Sequence, residues 1–435
     1  MTIFALSTPP GKSGVAVIRI SGNNAVNALV ALGYKAVPTP RLATLAKLSS
    51  PDTNMLIDEV LFIYFKAPSS FTGEDIVEIH CHGSRAVISA ISMVLLTLPG
   101  FRLAEAGEFS RRAFMHGKMD LTRAEGIADL IDAETSAQQR QALRQMSGEL
   151  ETLYENWRSQ LIHVLAYIEA YIDFPDEDLP PSVIEEITIE VAALREAMSA
   201  HLADNRRGEK IRDGLTITII GAPNAGKSSL LNWLAKRDVA IVSQVAGTTR
   251  DIIEVHLDVG GYAVVVSDTA GLRDSHDEIE SEGIRRAIER ARSADLKIAV
   301  YDATQNDIDE ATQVLIDKNT IIIANKIDLP GAKSLGNAMP VSVKTGQGGQ
   351  ALLSYIEKVA SEMLGTSESP IISRARHRQH LLNCANQLQL FDLYKDIELS
   401  AEDLRRAAVH LGQITGRIDI EMVLDEIFSA FCIGK

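Results

Sequence analysis

The sequence predicts a multidomain chain that mixes α/β and all-α parts. A small mixed α/β domain leads, and a helical domain follows that is interrupted by a second α/β domain with a mainly parallel sheet. Three observations carry this reading. Short β-rich runs between Pro, Ser and Gly turns fill the first 118 residues. Apolar residues recur every three or four positions on both sides of the chain's middle. Between those stretches, strands alternate with helices, the pattern of a parallel sheet covered by helices. At 435 residues, a norm of roughly 150 per domain allows about three domains.

Residues 1–118 carry β-rich runs at Val15–Ile20, Leu61–Phe65 and Ile76–His82, with a helix over Ala86–Leu98. Residues 119–210 are helical: Leu143, Met146, Leu150, Leu153, Trp157, Leu161, Val164, Ile168 and Ile172 form one apolar stripe on a long helix. That helix stops where Pro175, Pro180 and Pro181 follow. Residues 211–370 hold strands at Leu215–Ile220, Ile252–Val259, Tyr262–Ser267, Leu296–Tyr301 and Thr320–Ala324, with Gly260-Gly261 as a hairpin turn. Residues 371–435 return to helical spacing, with Leu404, Leu411, Ile414, Val423, Ile427, Phe428 and Phe431 as packing positions. The α/β domain at 211–370 is therefore read as an insertion between two halves of a helical domain.

Composition sets limits. With 46% hydrophobic and 23% charged residues, a disordered, collagen-like or coiled-coil chain is excluded. The formal charge is −15, so bulk charge does not coat nucleic acid and any RNA contact must be local. Most of the acidity sits in residues 119–210, where 8 basic and 19 acidic groups give −11. Three scattered cysteines, Cys81, Cys384 and Cys432, make no disulfide framework and predict a reducing, cytoplasmic setting. MTIFALSTPP lacks the parts of a secretory signal, and Ala86–Leu98 is too short to span a bilayer, so no membrane is expected.

The chemistry is most legible after Leu215–Ile220. That strand runs into Gly221-Ala-Pro-Asn-Ala-Gly226-Lys227-Ser228 and then into SSLLNWLA, which is G-x4-G-K-[ST] between a strand and a helix. Its glycines let N–H groups close on phosphate oxygens, and the helix N-terminus adds positive potential. Lys227 reaches the β and γ phosphates, and the Ser228 hydroxyl is an Mg²⁺ ligand. Asp268-Thr269-Ala270-Gly271 supplies a strand-end carboxylate for Mg²⁺ through water and an N–H for a γ-phosphate. Asn325-Lys326-Ile327-Asp328 selects GTP over ATP: the Asp328 carboxylate accepts from guanine N1–H and the amine, donors that adenine does not present together. Lys326 lies over the base plane, and Ser342-Val343-Lys344 closes the other side.

This set resembles the translation-factor-related P-loop GTPases. In that resemblance Gly247-Thr248-Thr249-Arg250-Asp251 matches the first switch, and Thr249 completes the Mg²⁺ shell with Ser228. One departure stands out. Ras-type members place a water-orienting glutamine directly after the glycine, and here that position is Leu272.

The chain's ends narrow the resemblance. Thr8-Pro-Pro-Gly-Lys-Ser-Gly14, Phe71-Thr-Gly-Glu-Asp75, Gly107-Glu-Phe-Ser110, Ile172-Asp-Phe-Pro175 and Cys432-Ile-Gly-Lys435 around a central GTPase resemble the MnmE (TrmE) family of tRNA-modifying GTPases. The resemblance implies a homodimer formed through the N-terminal domain. It implies a flavoprotein partner of the MnmG (GidA) type in a heterotetramer, bringing FAD and NADH. The product is an aminomethyl or carboxymethylaminomethyl group on a tRNA wobble uridine. A tetrahydrofolate derivative, 5-formyl or 5,10-methylene, donates the carbon. Hydrolysis requires K⁺, held by Asn224, Ser243, Val245 and Thr248. The nucleotide contacts run through Asn224, Ala225, Gly226, Lys227, Ser228 and Ser229, the switch residues above, and the two guanine loops. The catalytic acids implied are Asp268 and Glu280, the latter in place of the missing glutamine; its alternative is a cap on the helix Gly283–Arg292. The folate positions are Arg19, Glu78, Lys118 and Lys435. A pterin shows an amide N–H beside an amine, for which a carboxylate such as Glu78 is the natural acceptor, and the cations suit a glutamate tail.

Four weaker signals remain. Gly11-Lys12-Ser13-Gly14 precedes a strand and is rejected as a phosphate loop. His80-Cys81-His82 invites a zinc reading, but in a strand Cys81 faces away from the histidines. Arg374, Arg376, His377, Arg378 and His380 form a basic cluster, either a tRNA contact or a solvated helix start. Cys432 is either a buried small hydrophobe or a neighbour of the folate pocket, and the second is preferred. The rival functions are a ribosome-assembly GTPase of the Era or Der type and a nucleotide-gated scaffold with no part in modification.

Overall fold

A computed structural model describes residues 1–173, 181–237, 239–241, 254–268, 285, 288–305, 307–365, 369–393, 397–418, 424, 427–429, 431–432 and 434. The chain forms two compact units, Met1–Ala128 with Gly412–Lys435, and Asp129–Leu411.

The first unit is built on a six-stranded sheet of β1 (Thr2–Leu6), β2 (Ser13–Ser21), β3 (Thr44–Ser49), β4 (Leu56–Phe65), β5 (Ile76–Gly83) and β6 (Phe101–Leu103), in the order β3-β4-β5-β2-β1-β6. Neighbours are antiparallel except β6, which runs parallel to β1. Alternation sends Ile18, Ile20, Val77 and Ile79 into one core, which the helices Ala25–Ala31 and Arg85–Thr97 help to form. The same alternation puts Arg19 and Glu78 on the other face, directly opposite each other in the β2–β5 register. Strands β1, β3 and β6 and the helix Ala25–Ala31 were not foreseen. Thr2, Ile3, Phe4 and Ala5 are all buried, so β1 shows no polar alternation to read, and β6 has only three residues. From the chain's far end, Leu424, Phe428 and Phe431 pack on Leu121 and Ala124. Gly107, at φ 65°, makes the approach possible, because a Cβ there would stand 2.5 Å from the Phe428 carbonyl oxygen.

The second unit holds a sheet of β7 (Leu215–Ile220), β8 (Glu254–Val259), β9 (Tyr262–Asp268), β10 (Leu296–Asp302), β11 (Thr320–Asn325) and β12 (Met339–Pro340), in the order β12-β11-β10-β7-β9-β8. All pairs are parallel except β8–β9, whose turn residues Gly260 and Gly261 both take positive φ. From β7 the chain reaches β9 on one side and β10 on the other, which opens a crevice at the strand ends. The α/β domain is inserted between helices, as the spacing predicted.

The single long helix of the sequence reading is corrected to two, Ser136–Met146 and Glu149–Asp173. They part at Ser147-Gly148, where Gly148 takes φ 89° and its N–H bonds the Gln145 carbonyl. Leu150, Trp157, Leu161, Val164 and Ile168 are buried as expected, but Leu143, before the break, is 48% exposed. A helix break resets the angular phase, so the stripe does not run through it.

The helix Ser136–Met146 grips both covalent connections of the insertion. Gln138 Nε2 donates to the Arg212 carbonyl at 2.9 Å and Gln141 Nε2 to the Gly208 carbonyl at 3.1 Å, both on the leading helix Arg207–Asp213. Gln145 Oε1 accepts from Ser373 Oγ at 2.7 Å, on the trailing segment. The two connections cross closely at Gly208, where a Cβ would meet the Ile372 carbonyl oxygen at 2.2 Å.

Candidate functional site

The crevice at the ends of β7, β10 and β11 is a cleft of about 1420 Å³. Its floor is the turn after β7. Gly221 has φ 148°, Asn224 64° and Gly226 103°, positive values of the kind a phosphate-cradling turn uses. Gly226 N-caps the helix Lys227–Ala235. Lys227 is buried, and its ammonium donates to the Gly221 carbonyl at 2.8 Å and the Ala222 carbonyl at 2.9 Å, so it curls back over the loop. Ser228 Oγ donates to Asp268 Oδ2 at 2.6 Å, which brings the two foreseen Mg²⁺-side oxygens together at a helix start and a strand end. Ser229 and Asn224 line the cleft.

The side of the cleft expected to take guanine is held by Asn325. Its Nδ2 donates to the Ala225 carbonyl at 2.9 Å, and its Oδ1 accepts from Val343 N–H at 3.2 Å. One buried amide therefore ties the phosphate loop to the last guanine loop. Asp328 Oδ1 accepts from Ser342 Oγ at 2.6 Å, which orients the carboxylate, and Lys344 lines the cleft. Lys326 takes φ 66° and pairs with Asp302 Oδ2 at 2.6 Å. Asp302 was not foreseen. Burial alone pushes its carboxyl up, but hydrogen bonds from Lys326 and Thr304 outweigh it and hold the group below the usual carboxylate range. An acid at the end of β10, with Thr two residues on, was the available signal.

Ser243, Val245, Thr248, Thr249, Thr269, Ala270, Gly271, Leu272, Glu280 and Lys435 lie outside the described residues.

In the first unit, Arg19 Nη2 lies 2.8 Å and Nε 2.9 Å from Glu78 Oε1. The guanidinium sits over the rings of Phe71 and Phe109, at 5.5 and 5.8 Å from their centroids. His80 Nε2 is buried without a hydrogen-bond partner, 3.9 Å from Glu78 Oε2. Lys118 Nζ donates to the Pro68 carbonyl at 2.9 Å, on the loop that carries Phe71. Gly434 comes to the end of β1: its carbonyl accepts from Ser7 Oγ at 3.0 Å, and the Ser7 N–H bonds the Val17 carbonyl of β2. The motif acids Glu74 and Glu108 have a structural task. Arg112 bridges them at 2.8 and 2.9 Å, and Glu74 accepts from Ser21 Oγ, so that loop is clamped to the sheet.

Two arginines of the basic cluster, Arg374 and Arg378, are held by carboxylates of the same unit. Arg378 pairs with Asp204 and Glu209 at 2.7 Å each, and Arg374 pairs with Asp129 at 2.6 Å. His377 is fully buried, and burial lowers His380 to about 4. Cys81 is buried and its thiol pushed up to about 11, mainly by that burial. Cys432 is exposed, with its carbonyl accepting from Gly107 N–H. Among the described residues, no group of three or more His, Cys, Asp or Glu is arranged to hold a metal, and no helix is long and apolar enough to cross a membrane.

Residues 2–118 match the family described as GTP-binding protein TrmE N-terminus, and residues 121–432 match the MnmE helical domain. The protein named tRNA modification GTPase MnmE of Rickettsia bellii is 52% identical over 443 residues, covering 100% of both chains. That of Paramagnetospirillum magneticum is 51% identical over 440 residues, covering 100% of this chain and 99% of its own. Among solved structures, an Era variant of Aquifex aeolicus bound to GDP and AlF4⁻ is 24% identical over 41% of this chain and 67% of its own, with a TM-score of 0.28. The G domain of the FeoB iron transporter of T. maritima is 23% identical over 34% of this chain and 98% of its own, with a TM-score of 0.25. Matches that span both units and run the full length of the relatives leave one conclusion: the chain belongs to the MnmE (TrmE) family of tRNA modification GTPases.

Proposed function

We propose that this chain is a K⁺-dependent GTPase that modifies the wobble uridine of tRNA together with a flavoprotein partner of the MnmG type. The added group is aminomethyl or carboxymethylaminomethyl, its carbon comes from a 5-formyl or 5,10-methylene tetrahydrofolate, and the partner brings FAD and NADH. The protein works as a homodimer in the cytoplasm. Its domains are 1–118 for folate and dimerisation, 119–210 and 371–435 for the two helical halves, and 211–370 for GTP. The observation that carries this reading is the presence of two unlike constellations in separate units, a phosphate loop at 221–228 and the Glu78 carboxylate paired with an Arg19 guanidinium that lies over the Phe71 and Phe109 rings.

The residues fit the groups proposed. Ser228 and Asp268 present paired oxygens suited to Mg²⁺, which when bound neutralises charge between the β and γ phosphates. Glu78 offers its carboxylate to a pterin amide and amine, and Arg19 and Lys118 supply cations. Asn224, at the tip of the phosphate loop, is the described member of the K⁺ set. Nucleoside analysis of tRNA from cells lacking this protein tests the whole reading: unchanged wobble uridines sink it. A scaffold or a ribosome-assembly factor is then favoured, and the scaffold need not bind folate.

Three expected results follow from the separate parts. GTP hydrolysis should be faster in KCl than in NaCl at matched ionic strength, because Na⁺ is the smaller ion for a K⁺-sized shell; equal rates refute the K⁺ assignment. Glu78→Ala should weaken tetrahydrofolate binding and leave GTP affinity unchanged, and deleting Lys435 should act in the same way. A joint loss of both affinities in a folded variant contradicts the two-site arrangement. Glu280→Ala should lower turnover at saturating GTP and K⁺ while GTP affinity stays nearly intact. If Glu280 only caps a helix, stability falls by about 1 kcal/mol or less and turnover is kept.

A further inference from the structure

The lysine expected over the base plane is fastened from outside the cleft. Lys326 lines the cleft, whereas Asp302, at the end of β10, is not one of its lining residues. The parallel β10–β11 register sets Asp302 beside Asn325, and Ala303 N–H donates to the Asn325 carbonyl at 2.8 Å, so the two strand ends are tied. The chain then turns through Lys326 at φ 66°, a left-handed conformation that residues with a side chain rarely adopt. Its ammonium returns to the neighbouring strand and donates to Asp302 Oδ2 at 2.6 Å. The other oxygen has a different task. Asp302 Oδ1 accepts from the Thr304 N–H at 3.0 Å and from the Thr304 hydroxyl at 2.7 Å, an Asx turn. One carboxylate thus fixes a turn with one oxygen and a lysine with the other. The side chains of Lys326 and Asp302 are 32% and 16% exposed, so solvent screens this pair less than a surface one.

We propose that Asp302 is a positioning residue for nucleotide binding: it holds the ammonium of Lys326 so that the lysine stem lies ready against the plane of the base. The inference rests on the reading that this cleft takes GTP with Lys326 over the base. A free lysine stem samples many rotamers, and ordering it when the base arrives costs conformational entropy. The ion pair orders the stem during folding instead, before any nucleotide binds, which is the gain of preorganisation. Asp302 reads no atom of the base. Its contribution is therefore common to every base that stacks on the stem, it is absent for a nucleotide without a base, and the choice of guanine stays with Asp328. Lys326 belongs to the base end of the cleft and Lys227 to the phosphate end, so loss of Asp302 should change affinity and not the chemical step.

The test uses the full chain with Mg²⁺ and K⁺. Asp302→Asn is the informative variant, because its amide oxygen can still accept from Thr304 while its NH₂ cannot accept from Lys326. It should weaken GTP about tenfold in a displacement titration against a fluorescent analogue, raise KM by the same factor and keep kcat within about twofold. Ribose 5′-triphosphate, which has the sugar and phosphates but no base, should lose less than about twofold. Lys326→Met keeps an apolar stem and removes the ammonium; in that background Asp302→Asn should add no more than about twofold, because its partner is gone. A carboxylate that only shapes the strand end would give the same loss in both backgrounds and for both nucleotides, and that result overturns the proposal. If Asp302→Asn does not fold, Asp302→Ser, whose hydroxyl can also serve the turn, is held to the same criteria. GTP binding within about twofold of the wild type in the folded variant overturns the role of Asp302 alone. A wild type that binds GTP no better than ribose 5′-triphosphate overturns both that role and the reading of the cleft as a guanine site.

Discussion

Asp328→Asn is expected to cut GTP affinity by about 10²–10⁴, on the basis of two charge-assisted hydrogen bonds worth roughly 1.5–3 kcal/mol each. The carboxylate is oriented by Ser342 Oγ at 2.6 Å, on the loop that Asn325 fastens to the phosphate turn. Guanine presents two donors to it, the N1–H and the 2-amino group. Asparagine keeps one acceptor but turns an NH₂ toward the second donor, which leaves two donors facing each other. Xanthine carries an oxygen where guanine carries that amine, so the variant should bind XTP better than the wild type does. Fluorescent GTP and XTP analogues titrated against both proteins read this directly. Equal losses for the two nucleotides would mean that the loop has collapsed and not that base recognition has changed; an unaltered GTP affinity would remove Asp328 from the site.

Gly226→Ala should abolish nucleotide binding by a different route, with at least a hundredfold loss of GTP affinity and a lowered thermal midpoint. The residue sits at φ 103°, where an L side chain is strained. A Cβ would also stand 2.1 Å from Asn325 Nδ2. That nitrogen is buried and already bonded to the Ala225 carbonyl, so it cannot swing away freely. Displacing it breaks the strut that spans phosphate loop and guanine loop, and both halves of the site lose their reference. Asn325→Ala, which deletes the strut without adding the methyl, should cost less than Gly226→Ala. If Gly226→Ala binds GTP within threefold of the wild type, the close packing of Gly226 against Asn325 does not constrain the site.

The sequence by itself determined the inserted α/β domain, the strand–loop–helix that carries 221–228, the placing of Asp268 and Asn325 at strand ends, and the family. These depend on short contiguous motifs whose local backbone demands, such as glycines at positive φ and a strand leading into a helix, are visible in the residues themselves. Tertiary structure alone decided what lies between distant segments. The β2–β5 register set Arg19 opposite Glu78, where the two pair and the guanidinium lies over Phe71 and Phe109. The cluster at Arg374–His380 looked solvated or free for phosphate, yet Asp129 claims Arg374, and Asp204 and Glu209 claim Arg378, from elsewhere in the same unit. Strand β1 hid because burial on both faces removes alternation, and the long helical stripe misled because periodicity alone does not show a break at Gly148. The glutamines of Ser136–Met146 have no motif at all; their partners lie up to 228 residues away, and only packing brings them together.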